Sequence, residues 1–395
     1  MESSDFLAGK VLPVDPELID RELSRLWKPD DAAKGSVSRA CLSNLIFHLP
    51  DDAARVAVGD ILTAIGRRFP SRVLLLTERR GAVGLSAWVT AVCHLPSPGV
   101  PPVCCEQITL EAPAGAPELL PGAVMPLVVP DVPVILVLLF PGGERLSSLL
   151  GGLGDRIILD SRRRPVSALG LLRALLGEGR PLLDDLAWRD VLPWRRVICD
   201  IFDEGSMRPL LDSLRSVEID FRPAERDSRL AASEVRSAER NSRPAEGVKA
   251  PPSAMPGAVP AALLGGWLVS RLGWIVASSD VSAEGIRARL VRGREELRVF
   301  LRPGEAGDPA AGGAILGVRL SDGGHALLGV TLGEDQRALR IEHSTRESCI
   351  LPRRIPLRRE SDASLLGSAL ERITDQRVLA GAVSAAMGLV SGAEG

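Results

Sequence analysis

Apolar residues change their period along this chain. From Ala53 to Phe69 they recur at Val56, Val58, Ile61, Leu62 and Ile65, a helical spacing that ends before Pro70. Arg72–Thr77 (RVLLLT) is a continuous apolar run of strand length, and Leu85–Cys93 and Val103–Glu111 are two further extended segments. A proline-interrupted helical stretch, Glu118–Val129, leads into the strand Val132–Leu139 (VPVILVLL). After a Gly-rich turn come the strand Arg156–Asp160 (RIILD), helices near Val166–Leu176 and Leu186–Phe202, and the strand Ser216–Phe221. Short all-apolar strands separated by helix-length segments predict an α/β domain, a mostly parallel sheet with helices on both faces.

Arg222–Ala258 breaks the pattern. Its only bulky aliphatics are Leu230, Val235 and Val248, among Arg, Glu, Ser, Ala and Pro. Such a segment buries too little surface to offset its ordering entropy and reads as a disordered charged linker. Beyond it an apolar helix, Ala261–Trp274, precedes period-two runs at Ile286/Ala288/Leu290, Leu297/Val299/Leu301, Leu316/Val318/Leu320 and Leu339/Ile341. Asp322-Gly323-Gly324 between two of them is hairpin chemistry. A closing helix carries Leu366, Leu370, Ile373 and Leu379 on one face. The expected organisation is an α/β domain over 1–221, a linker over 222–258, and a smaller α+β domain with an antiparallel sheet over 259–395. Proteolysis in the linker is expected to leave two stable fragments.

Composition narrows the class of function. Lys+Arg of 48 against Asp+Glu of 50 leaves a net charge of −2, which argues against nucleic-acid binding. The arginines of the last third alternate as on a solvated strand face. The acidic N-terminus lacks a secretory signal pattern, and six cysteines are too sparse for a disulfide scaffold, so a reduced cytoplasmic chain is expected. Pro121–Gly143 has the length of a membrane span and one charge, Asp131. Its five prolines fit no uninterrupted helix, so no membrane partner is expected.

The search for chemistry yields no catalytic set. The Gly151–Gly154 turn precedes a strand instead of following one, so it lacks the strand–glycine–helix order of a phosphate loop. Cys93-His94 and Cys104-Cys105 invite a metal, but neighbours on a strand point to opposite faces, so these read as structural thiols. No catalytic residue, metal ligand or cofactor is assigned. Glu106, Gln107, Asp131, Asp160 and Ser161 lie on or at the ends of predicted strands and are expected at the carboxyl edge, where open α/β sheets place binding groups. Helix capping at Asp160 or Ser161 is the competing explanation. Trp188 and Trp194, with Arg195 and Arg196, have the composition of an interface hot spot, against which stands burial of the indoles in an amphipathic helix.

Several segments, taken in order, resemble the bacterial glucose-6-phosphate dehydrogenase assembly protein family, OpcA. They are FPSRVLLL (Phe69–Leu76), CCEQITL (Cys104–Leu110), LPGAVMPLVVPDVPVILVLL (Leu120–Leu139), DRIILDS (Asp155–Ser161), DLAWRDVLPWRRVICDIFD (Asp185–Asp203) and LLGGWLVSRLGW (Leu263–Trp274). The resemblance implies a non-catalytic partner that binds glucose-6-phosphate dehydrogenase and supports its assembly and activity in the oxidative pentose phosphate pathway. The alternative is an α/β enzyme or sensor binding a sugar phosphate or nucleotide at the sheet edge.

Overall fold

The computed structural model describes residues 6–8, 12–26, 38–94, 103–177, 180–224, 255–305, 312–344 and 351–391. The expected linker lies almost wholly outside the described residues. Two compact units are formed, one from residues 1–159, 179–184 and 361–373, the other from 160–178, 185–360 and 374–395.

The first unit begins with β1 (Phe6–Ala8), β2 (Leu12–Val14), α1 (Ile19–Leu26) and β3 (Ser38–Arg39). Then follow β4 (Asn44–Leu49), α2 (Asp52–Ile65), β5 (Arg72–Arg79), β6 (Ser86–His94) and β7 (Val103–Pro113). After α3 (Leu119–Val124) and a 3-10 turn at Met125–Leu127 come β8 (Val134–Leu138), α4 (Glu144–Leu150) and β9 (Arg156–Leu159). With β10 (Leu182–Asp185) these strands make a ten-stranded sheet ordered β1-β6-β7-β5-β4-β8-β9-β10, with β2 on β6 and β3 on β7. Pairing is parallel at β7-β5, β5-β4, β4-β8 and β8-β9, and antiparallel where β6 joins. The central strands β4 and β8 are buried along their whole length, as strands covered on both faces must be.

Sequence reasoning overlooked β4, although Leu45-Ile46-Phe47 is a short apolar run. In α2 the buried face is Ala54, Val58, Ile61 and Ile65, while Val56 is exposed. The predicted face therefore included one residue too many, because Val56 is about 160° from Val58 on the helical wheel.

The second unit contains α5 (Ala168–Leu175), α6 (Leu186–Asp190), α7 (Leu192–Phe202), β11 (Ser216–Phe221) and α8 (Val259–Leu272). Strands β12 (Ile275–Ser282), β13 (Gly285–Arg292), β14 (Glu295–Pro303) and β15 (Ile315–Ser321) follow, then β16 (Ala326–Leu332), β17 (Ala338–His343) and β18 (Arg353–Pro356). Their sheet runs β12-β13-β14-β11-β15-β16-β17-β18 and is antiparallel except at β11-β14. Thus Ser216–Phe221, read from sequence as part of the first domain, sits in the middle of the second sheet.

The expected closing helix is two helices, α9 (Asp362–Glu371) and α10 (Gln376–Val390). Asp375 accepts the N–H groups of Arg377 and Val378 and starts a new helix, leaving Ile373 exposed. Helix α9 packs on α2 in the first unit, whereas α10 packs on α8 in the second. No described helix is long and apolar enough to cross a membrane.

Candidate functional site

In a doubly wound sheet, ligands bind beyond the carboxyl ends of the strands, where the winding reverses. Here that point lies at β4, flanked by β5 on one side and β8 on the other. The chain leaves β4 as Pro50-Asp51-Asp52 and enters α2. The Asp51 carboxylate accepts the Ala54 N–H at 2.8 Å, so a side-chain anion fills the place where a phosphate would meet the helix N-terminus. Asp52 adds a second negative charge in the first turn. Beside it, a Cβ on Gly143, just after β8, would meet the side chains of Leu138 and His48. The turn therefore carries a capping carboxylate and close packing at Gly143 where a phosphate would have to sit.

The opposite, amino-terminal edge of the same strands is built differently. The Arg72 guanidinium is bound to Glu106, its Nε lying 2.7 Å from Oε2, and its Nη1 donates to the Leu127 carbonyl at 2.6 Å. Asn44 donates from Nδ2 to the Val129 carbonyl at 3.0 Å and accepts the Val129 N–H at 2.8 Å. A buried ion pair and a buried amide therefore clamp the segment from α3 to β8 onto the sheet. With both partners present the charges are compensated, and removing one would leave the other buried and unpaired.

The outer side of this clamped segment is apolar. Leu119 is 46% exposed and Met125 64% exposed, and between them and β8 the only charge is Asp131. Asp131 has φ +64°, a left-handed conformation that Asp tolerates better than most residues. Glu106 and Asp131 therefore belong to the amino edge, not to the carboxyl edge where sequence reasoning placed them. Glu106 is buried and acts on the surface segment through Arg72, Gln107 is half-buried, and Asp131 is exposed.

Asp160 and Ser161 follow the carboxyl end of β9, as expected, but neither is at the surface. Ser161 donates its N–H to Asp185 Oδ1 at 3.0 Å and its hydroxyl to Oδ2 at 2.6 Å. Asp185 also accepts the Ala187 N–H at 3.3 Å, capping α6. Burial pushes the Asp185 carboxyl up to about 7, against the pull of the Ser161 hydrogen bonds. Burial acts on Asp160 too, yet the charge and hydrogen bonds of Arg162 together hold it below the ordinary carboxylate range. Arg162 donates to both Asp160 oxygens, at 3.0 and 2.7 Å. Neither Asp160 nor Ser161 caps a helix as the competing explanation expected: the cap is Asp185, and the two residues are held by Arg162 and Asp185.

Trp188 and Trp194 are core residues, each under 5% exposed, and are closed to direct contact with a partner in this fold. Arg195 is half-buried, its guanidinium 3.5 Å from the Trp188 ring centre and donating to the Trp188 carbonyl at 2.9 Å. Burial pushes Arg195 down to about 10. Arg196 is exposed. The candidate residues therefore do not form one site.

Cys93 and Cys104 are directly opposite across β6 and β7 and are joined as a disulfide, which corrects the reading of them as thiols. That reading compared neighbours on one strand, whereas the partner of Cys93 is set by antiparallel register. Cys105 remains a thiol, pushed up to about 11 by burial. Among the described residues no three His, Cys, Asp or Glu side chains gather as a metal site.

Residues 62–174 match the family model described as the glucose-6-phosphate dehydrogenase subunit N-terminal domain, of the OpcA assembly group. The chain is 28% identical over 198 residues to an OpcA-type OxPP cycle protein of Nostoc punctiforme, which covers 49% of this chain and 41% of that one. Less than half of that relative is therefore represented in the match. Among solved structures, an oxidoreductase-like protein of Erwinia carotovora atroseptica is similar with a TM-score of 0.44 and 8% identity, over 89% of this chain and 99% of its own. The transcriptional regulator Gal80p of Kluyveromyces lactis is similar with a TM-score of 0.39 and 9% identity, over 90% and 85%. The family match and the Nostoc relative bear out the resemblance seen in the order of segments: residues 62–174 are similar to the N-terminal domain of the OpcA family, named for glucose-6-phosphate dehydrogenase assembly.

Proposed function

We propose that this protein is a non-catalytic, cytoplasmic partner of glucose-6-phosphate dehydrogenase that binds it and raises its activity. The observation that carries this reading is the match of residues 62–174 to the assembly family. The acidic β4–α2 turn supports it, because Asp51 stands where a nucleotide-binding enzyme of this topology needs bare backbone amides. That turn also opposes the alternative of a sugar-phosphate or nucleotide enzyme at the first sheet's edge. A partner that binds the competent state of the dehydrogenase about 1.4 kcal/mol more tightly than the incompetent one shifts the equilibrium tenfold.

The docking segment in this reading is the clamped stretch over 119–133. It lies inside the matched region, exposes Leu119 and Met125, and is held rigid from beneath by Arg72, Glu106 and Asn44. Pre-ordering lowers the entropy lost on association. The test is the rate of the dehydrogenase from the same organism against added protein, at fixed substrate. A saturable rise is expected, and a flat curve with both proteins folded overturns the reading. In the Leu119→Asp/Met125→Asp variant the rise should fall at least tenfold in affinity while melting is unchanged. Full activation by that variant would remove this segment from the interface without touching activation itself.

A further inference from the structure

One face of the second sheet is covered by α8 and α10, and Leu290, Leu297, Val217 and Leu320 point into that core. The other face is polar and shows an uneven use of arginine. On the strands of this sheet Arg287 pairs with Glu284, Arg292 with Glu295, Arg302 with Asp220 and Glu218, and Arg319 with Glu218. Arg340, Arg353 and Arg354 pair with Glu342, Glu204 and Asp335. Among the described residues Arg289 and Arg298 alone of the strand arginines lack a carboxylate.

Those two are directly opposite each other across β13 and β14. Like charges in opposed antiparallel positions are destabilising, so the sheet carries here a repulsion that it neutralises everywhere else. The row that contains them continues on both sides without an acid. Ser278 lies beside Arg289 and accepts its Nε–H at 2.9 Å, while Ser216 is opposite Arg298 and its hydroxyl is 2.6 Å from that of Ser321. Two guanidinium groups and three hydroxyls thus cross five adjacent strands as one strip.

The strip floors an open depression of about 920 Å³, large enough for a small metabolite. Phe300 lies on the neighbouring row with the Arg287 and Arg302 guanidinium carbons 5.1 and 5.3 Å from its ring centre. Asp280 and Glu296 also line the depression, on the rows either side of the strip.

We propose that this face of the second sheet binds a sugar phosphate, its phosphate held by Arg289, Arg298 and the serine strip. Two opposed forks suit a dianion with three acceptor oxygens. Asp280 and Glu296 repel a second phosphate but accept hydroxyl hydrogen bonds, which selects a polyhydroxy body over a polyphosphate.

The site and the proposed docking segment belong to different units, so the test uses the full chain without dehydrogenase. Calorimetric titrations and melting curves are recorded with glucose 6-phosphate, inorganic phosphate, glucose, and sodium chloride at matched ionic strength. Glucose 6-phosphate should bind saturably and raise the melting temperature. Inorganic phosphate should bind at least tenfold more weakly, and glucose and chloride should do nothing. Arg289→Ala/Arg298→Ala should lose binding at least tenfold while the unliganded protein melts no earlier than wild type, because a repulsion has been removed. The milder Arg298→Gln should lose at least threefold and guards against misfolding of the double variant. No response to glucose 6-phosphate, equal affinity for inorganic phosphate, or undiminished binding by a folded variant each overturns the proposal.

Discussion

At the scale of single residues, the most consequential group is Asp185, a carboxyl with no exposed surface that caps α6 and holds both polar atoms of Ser161. Its proton is retained up to about pH 7 because burial penalises the ionised form. In the unfolded chain the same carboxyl ionises near pH 4. Between those values the folded state binds more protons, so this group makes stability fall as pH rises and leaves a constant penalty above the upper value. Asp185→Asn keeps an acceptor for the Ser161 and Ala187 N–H groups and removes the charge. It should stabilise the protein above pH 7 by up to about 4 kcal/mol and flatten this part of the profile. Denaturant melts of both proteins at pH 5 and 8 decide it, and an equal loss of stability at both would contradict it. Ser161 and Asp160 were legible in sequence as polar groups after a strand. Their burial was not, because Asp185 comes from a different strand.

Among the elements, α8 and α10 show how closely two helices can approach. At Gly266 a Cβ would meet the Ala382 carbonyl and the Ala386 amide nitrogen, backbone atoms that cannot turn aside. At Gly265 the nearest neighbours are side-chain methyls of Leu389, Leu301 and Ile219, at 3.3 to 3.5 Å, which can repack. Gly266→Ala should therefore cost about 3 kcal/mol or more and Gly265→Ala about 1 kcal/mol or less, although both substitutions raise helix propensity. Equal melting temperatures for the two variants would refute this packing. The Gly-Gly pair was visible in the sequence only as a break in an otherwise apolar helix. What it accommodates lies more than a hundred residues away.

For the whole molecule, the order of the chain and the order of the units differ. β11 sits between β14 and β15 in the second sheet although it precedes the expected linker, and α9 returns to α2 of the first unit from the far end of the chain. A cut between β11 and α8 therefore leaves each unit made of both fragments. The nicked protein should elute from gel filtration as one species and melt cooperatively, instead of yielding two stable fragments. Expression of 1–221 alone should give an unfolded or aggregated product, since its β11 loses both partners. A folded, monomeric 1–221 would show that the N-terminal fragment does not depend on the second sheet.

What the sequence by itself determined is local. Continuous apolar runs marked β5, β8 and β9, period-two runs marked β13 to β15, and the order of several segments carried the resemblance to the OpcA family. Each of these follows from side-chain spacing within a few residues, where backbone period decides which atoms meet water. Tertiary structure alone decided the rest: the Cys93–Cys104 pairing, the clamp of Arg72 and Asn44 on Leu127 and Val129, the capture of Ser161 by Asp185, and the facing of Arg289 and Arg298. All of these depend on register between segments distant in the chain. A shift of one residue turns every side chain of a strand to the other face, and that choice is made by the summed burial of the whole sheet.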